Sequence, residues 1–178
     1  MGLEIERKFL VTNEKWKTSV TQIIRIRDGL IANDKGHKAR VRITNTRATI
    51  ALKGRRYGAI RSEFEYTIPL ADAEDMMRVM CDGRILEKVR HCVPYAGAIW
   101  NVDVYEGILS GVVIAEVELG RADQELQLPD WIGPKVTADP NYRKVNMLAR
   151  RSADNREKHP PELWPDVRFG VKQTPVDR

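Results

Sequence analysis

The sequence predicts a mainly β, α+β protein: eight antiparallel strands in one domain, with a few flanking helices. Three observations carry that expectation. Apolar and polar residues alternate with period two from residue 2 to about residue 120, and turn-forming residues interrupt the alternation. Helical spacing is convincing in only two places. Eight strands are enough to close a small barrel.

The alternating runs place strands at 2–12, 20–32, 38–45, 47–54, 60–69, 84–94, 98–106 and 112–120. Asn33-Asp34-Lys35-Gly36, Thr44-Asn45-Thr46, Ala96-Gly97 and the Gly107 to Gly111 loop sit between such runs and read as hairpin connections. Antiparallel neighbours in sequence order follow. Helices are expected over Ala71 to Cys81, with Met76, Met77, Val79 and Met80 on one face, and over Asn141 to Arg151, with Tyr142, Val145, Leu148 and Ala149. The methionines read as core packing. A short helix around Asn13 to Trp16 would be opened by Thr12 or Asn13 as cap. The domain is expected to span 1–155. From Arg156 the composition shifts to Pro160, Pro161, Pro165 and Pro175, so 156–178 reads as a Pro-rich C-terminal tail, part of which docks through Leu163, Trp164 and Phe169.

At 178 residues and 42% hydrophobic, the chain can bury one substantial core. A net charge of +5 would suit nucleic acid, a phosphorylated ligand or an acidic membrane, but 25 acids stand among 30 bases, so the placement of charge matters more than its sum. Cys81 and Cys92 form neither a disulfide framework nor a CxxC pair and are expected as reduced thiols. The first residues hold no apolar run for a signal peptide, position 6 is Glu where a myristoylation signal needs Ser or Thr, and no stretch approaches about 18 consecutive apolar residues. A cytoplasmic location is expected. His37, His91 and His159 lack zinc-ligand spacing, and neither G-x-x-x-x-G-K-[ST] nor G-x-G-x-x-G is present. Trp16, Trp100, Trp131 and Trp164 read as core or tail packing.

The chemistry lies in the strands. Residues at i, i+2 and i+4 of a strand share one face. Glu4, Glu6 and Lys8 share one; Arg40 and Arg42 flank Val41, Glu63 and Glu65 flank Phe64, Lys88 and Arg90 flank Val89, and Glu116 and Glu118 flank Val117, with Lys53 and Asp103 as single additions. One such pair is an ordinary wet face, since opposite charges across strands contribute only roughly 0.2–1 kcal/mol. Repetition over five strands is different, because in a closed barrel one face must look inward. Carboxylates at i and i+2 suit Mg²⁺ or Mn²⁺ held partly by water and phosphate. Arg offers a bidentate fork for phosphate oxygens and Lys a compact charge. Together they describe a site for metal and polyphosphate.

These residues resemble the CYTH family, also called triphosphate tunnel metalloenzymes. Glu4-Ile5-Glu6-Arg7-Lys8 matches its ExExK signature, and the later elements match in order: Arg40-Val41-Arg42, Leu52-Lys53, Arg61 to Glu65, Glu87 to Arg90, Val102 to Tyr105, Ala115 to Glu118, then Val136-Thr137 and Tyr142. The match covers residues 2 to about 150. It implies an eight-stranded antiparallel tunnel that closes, a small-molecule triphosphate as substrate, and Mg²⁺ or Mn²⁺ as cofactor, with no nucleic-acid or membrane partner. Carried over by position, Lys8, Arg40, Arg42, Lys53, Lys88 and Arg90 grip phosphate, with Lys8, Lys88 and Arg90 acting at the reacting group. Glu4, Glu6, Glu63, Glu65, Asp103, Glu116 and Glu118 fall on the metal side.

The expected activity is metal-dependent hydrolysis of inorganic tripolyphosphate or another organic triphosphate. Two rivals are a class IV-type adenylyl cyclase making cyclic AMP from ATP, and a non-catalytic binder of polyphosphate, nucleotides or RNA resting on Arg25, Arg27, Arg55, Arg56 and Arg61. The chain departs from short bacterial members twice. Asp28-Gly29-Leu30-Ile31 stands where Gln-Gly-Tyr-Leu is frequent, so no tyrosine can act there, and Lys144 stands where Asn is usual.

Overall fold

A computed structural model describes residues 2–45 and 47–158. Nine strands are present: β1 (Gly2–Val11), β2 (Gln22–Asp34), β3 (His37–Thr44), β4 (Arg47–Lys53), β5 (Ile60–Ile68), β6 (Ile85–Tyr95), β7 (Ala98–Tyr105), β8 (Val113–Glu118) and β9 (Ile132–Lys135). The order β5-β4-β3-β2-β6-β7-β8-β1, with β5 pairing back onto β1, closes an eight-stranded antiparallel barrel. The eight expected strands each match an observed one within two residues at either end. β9 is an addition: Ile132-Gly133-Pro134-Lys135 has no alternation, and it counts as a strand only because it pairs with the end of β1 (Phe9↔Lys135, Val11↔Ile132).

Two connections show why the hairpins form. Lys35 and Gly36 have φ of 44° and 90°, and Ala96 and Gly97 have 47° and 77°, the left-handed pairs that a two-residue turn between twisted strands requires. The antiparallel order places the β2–β3, β4–β5 and β7–β8 connections at one end of the barrel.

Most apolar packing lies outside the barrel wall. Phe9, Trp16, Trp100, Val102, Val117 and Trp131 form the largest buried cluster, with the Phe9 and Trp131 rings 5.5 and 5.8 Å from that of Trp100. Trp16 belongs to a 3-10 helix at Lys15–Ser19, set by Asn13 Oδ1 accepting from Lys15 N at 3.1 Å. Trp164 lies outside the described residues. Helix α1 (Leu70–Met80) buries Ala73 and Met77 against Val41, Ile43 and Ala48. The expectation that all its methionines pack in the core is corrected: Met80 is 46% exposed, on the face turned from the barrel.

Helix α2 (Lys144–Lys158) begins three residues later than expected, because Pro140–Tyr142 forms a separate 3-10 turn whose Asp139 caps Asn141 N at 2.8 Å. Its Met147 joins Leu86, Tyr105, Leu109 and Ile114 in an apolar cluster, and so α2 covers part of the barrel end that carries the β7–β8 connection. Helix continues to Lys158, three residues into the expected tail; 159–178, with Leu163, Trp164 and Phe169, lies outside the described residues. Cys81 and Cys92 are buried free thiols. Among the described residues no helix is long and apolar enough to cross a membrane.

Candidate functional site

The barrel encloses a cavity of about 940 Å³, lined by inward residues of seven of its eight strands. The strand register converts charges of one sign along each strand into opposite charges across strands. Lys8 stands opposite Glu116, Arg90 opposite Asp103, Arg42 opposite Asp28, Lys53 opposite Glu63 and Glu4 opposite Arg61.

The floor is a closed ionic network. Lys88 and Asp103 are 1% and 0% exposed and pair with each other. Arg90 Nε donates to Asp103 Oδ1 at 2.7 Å and its Nη2 to Glu116 Oε2 at 2.9 Å, while Lys8 Nζ pairs with Glu116 and, at 3.1 Å, with Glu6. Burial would raise the Glu116 carboxyl, but Lys8, Lys144, Lys88 and Arg90 hold it well below the usual range. Burial drives the Lys88 ammonium well down, against the pull of Asp103.

Asp28 anchors a second network. Arg42 reaches it through Nε at 2.7 Å and Nη2 at 3.1 Å, and Lys144 Nζ at the start of α2 donates to it at 3.3 Å. Burial would raise this carboxyl; Arg40, Arg42 and Lys144 hold it well below its ordinary value. Arg40 Nε is buried and makes no hydrogen bond, its nearest carboxylate oxygen being Asp28 Oδ1 at 3.7 Å, so the donor is left free for a ligand oxygen.

The remaining acids gather where β1, β5 and β8 meet. Glu4 accepts from Lys53 at 3.0 Å and Arg56 at 2.9 Å and pairs with Arg61, and Arg56 also reaches Glu6 at 2.5 Å. Glu63 touches Glu4; its carboxyl is raised by burial and by that hydrogen bond, so two carboxyls meet there and one resists ionising. Glu65 and Glu118 line the cavity and make no ion pair among the described residues, and Glu118 stands opposite Glu6. No ready-made cage of three His, Cys, Asp or Glu side chains exists among the described residues. The donor set nonetheless fits a hard divalent cation: all ligating atoms are carboxylate oxygens, two carboxyls already share one place, and Mg²⁺ commonly takes only one or two carboxylates, completing its shell with water and phosphate.

Of the expected site residues, Glu4, Glu6, Lys8, Arg40, Arg42, Lys53, Glu63, Glu65, Arg90, Glu116 and Glu118 line the cavity. Lys88 and Asp103 do not: their mutual ion pair, covered by the Tyr105 ring 5.7 Å from Lys88 Nζ, keeps them beneath the floor. Sequence reasoning missed Asp28, Lys38, Arg56, Arg61, Arg143 and Lys144, all of which line the cavity. Strand parity could have found three of them, since Asp28 precedes Leu30 by two, Lys38 precedes Arg40 by two, and Arg61 precedes Glu63 by two. Of the arginines on which the non-catalytic binder rested, Arg55, Arg56 and Arg61 line the cavity, while Arg27 meets Glu74 at 2.8 Å and Arg25 meets Glu106 at 3.7 Å on the surface.

A model of the CYTH domain matches residues 2–151. The chain belongs to the CYTH family. It is 38% identical over 148 residues to an inorganic triphosphatase of Acetivibrio thermocellus, covering 83% of this chain and 94% of that protein. It is 31% identical over 144 residues to an inorganic triphosphatase of Nitrosomonas europaea, covering 79% and 93%. Among solved structures, the crystal structure of an inorganic triphosphatase superposes with a TM-score of 0.58 at 28% identity, covering 82% of this chain and 97% of that one.

Proposed function

We propose that this CYTH protein hydrolyses inorganic tripolyphosphate to pyrophosphate and orthophosphate, with Mg²⁺ or Mn²⁺ as cofactor. The observation that carries this reading is one cavity lined by carboxylates (Glu4, Glu6, Glu63, Glu65, Glu118) and cations (Lys8, Arg40, Arg42, Lys53, Arg90) interleaved with one another. The family and the relatives' activity agree with it.

Phosphate oxygens give Arg40 Nε the hydrogen bond it lacks and compete with Asp28 for the Arg42 fork. Lys8 and Arg90, oriented by Glu116 and Asp103, face the terminal phosphoryl group and neutralise the charge that builds as the bridging P–O bond breaks. Lys88 acts from below, positioning Asp103 and through it Arg90. Glu4, Glu6, Glu63, Glu65 and Glu118 would hold the metal, which when bound supplies charge against phosphate oxygens and lowers the pKa of coordinated water. Asp103, which does not line the cavity, serves as counter-ion to Lys88 and Arg90, and Glu116 orients Lys8 and Arg90. Two buried free thiols fit a reducing cytoplasm.

The test is phosphate release from tripolyphosphate with Mg²⁺ or Mn²⁺, with and without chelator. Release that disappears with the chelator supports the reading. Cyclic AMP from ATP, with no phosphate from tripolyphosphate, would reverse it.

A further inference from the structure

The lining of the cavity carries thirteen Lys and Arg side chains against eight Asp and Glu, an excess of five positive charges. Fully ionised tripolyphosphate would balance that excess by itself, leaving the charge of any divalent ion uncompensated. The excess is not spread evenly. Lys8, Arg40, Arg42, Lys53, Arg56, Arg61, Arg84, Arg90 and Lys144 each have a carboxylate within ion-pair distance. Lys35, Lys38, Arg55 and Arg143 have none among the described residues.

Those four lie together at the barrel end that carries the 35–36 and 54–59 connections. A Cβ on Gly36 would sit 3.2 Å from the Arg55 side chain, which puts Lys35 and Arg55 side by side. Lys38 is opposite Lys53 in the sheet. Its ammonium is pushed down to about 8 by burial and by Arg61, Arg143, Lys144 and Arg56, so it feels cations from three directions and no carboxylate. Asp139, which also lines this end, is occupied in capping Asn141. A half-buried lysine ringed by cations is unfavourable in the empty protein and becomes favourable when an anion arrives.

Resting on the tripolyphosphatase reading above, we propose that Lys35, Lys38, Arg55 and Arg143 form a further phosphate subsite at the cavity rim, and that the preferred substrate is a linear polyphosphate longer than three units. Each added unit brings one more negative charge, and the rim is where a chain gripped inside by Arg40, Arg42 and Lys53 would emerge. A nucleotide would bring a neutral sugar and base to the same place, where they gain nothing from four cations.

The experiment compares tripolyphosphate, tetrapolyphosphate, a longer linear polyphosphate and ATP. Binding is followed by calorimetry without divalent ion and turnover by phosphate release with Mg²⁺. The full chain is used with Lys38→Met and, because a change at a half-buried site can disturb folding, with the exposed triple variant Lys35→Ala/Arg55→Ala/Arg143→Ala. Tetrapolyphosphate and longer chains should bind at least about fivefold more tightly than tripolyphosphate, and either variant should abolish the preference while leaving tripolyphosphate within about twofold. Lys38→Met should also raise Tm, which a residue holding the fold together would not do. Equal binding of short and long chains, equal losses on both in the variants, or tighter binding of ATP than of tetrapolyphosphate would overturn the inference whether or not turnover occurs. A length preference without any tripolyphosphate hydrolysis would overturn the activity and leave the subsite standing.

Discussion

The floor and the rim of the cavity both carry lysine and arginine and put them to opposite work. At the floor, Lys88, Asp103, Arg90, Glu116 and Lys8 satisfy one another in a nearly dry network. At the rim, Lys35, Lys38, Arg55 and Arg143 line the cavity with no carboxylate within ion-pair distance among the described residues, and Lys38 is repelled by Arg143. A charge whose partner is another side chain holds the barrel in shape; a charge without one waits for a ligand. The acids lie between these extremes, since Glu4 and Glu6 are paired with Arg56, whereas Glu65 and Glu118 make no ion pair among the described residues.

That contrast breaks most severely at the floor. Asp103→Ala leaves Lys88 buried without a counter-ion and should destabilise the fold by about 3–5 kcal/mol, measured as a lowered denaturant midpoint. A variant as stable as the native protein would show that the floor is not the scaffold. Among the acids, Glu4→Gln/Glu6→Gln should reduce metal-dependent turnover by about a hundredfold or more while the protein still folds.

A smaller effect is expected at Asp28. Its folded pKa lies below its unfolded value, so its contribution to stability is complete above the unfolded value and is lost as pH falls below about 3.9 towards the folded one. Unfolding midpoints across that window should fall less steeply in Asp28→Asn, and parallel acid limbs would remove Asp28 from the account. The smallest effect belongs to Arg27→Ala on the outer surface. Loss of its exposed bridge to Glu74 should cost at most about 1 kcal/mol and leave turnover unchanged.

Much of this was legible in the sequence because the period-two signal serves fold and site together: the alternation that marks β1 and β3 also lists Glu4, Glu6, Lys8, Arg40 and Arg42 as one face. What the alternation lacks is register. Nothing along the chain says that Arg90 faces Asp103 or that Lys88 is covered by Tyr105, so the alternation alone cannot separate these two from the residues that line the cavity. β9 was invisible because a four-residue segment with Gly133 and Pro134 becomes a strand only by lying beside β1. Lys144 and Arg143 reach the cavity through the placement of α2, which helical spacing alone does not fix.

The most direct test of the central claim, that the carboxylates and cations lining one cavity carry out metal-dependent hydrolysis, is phosphate release from tripolyphosphate by the native protein and by folded Glu4→Gln/Glu6→Gln. The account predicts release that requires a divalent ion in the former and is lost in the latter. Undiminished release from the double variant, or release that survives complete chelation, would contradict it.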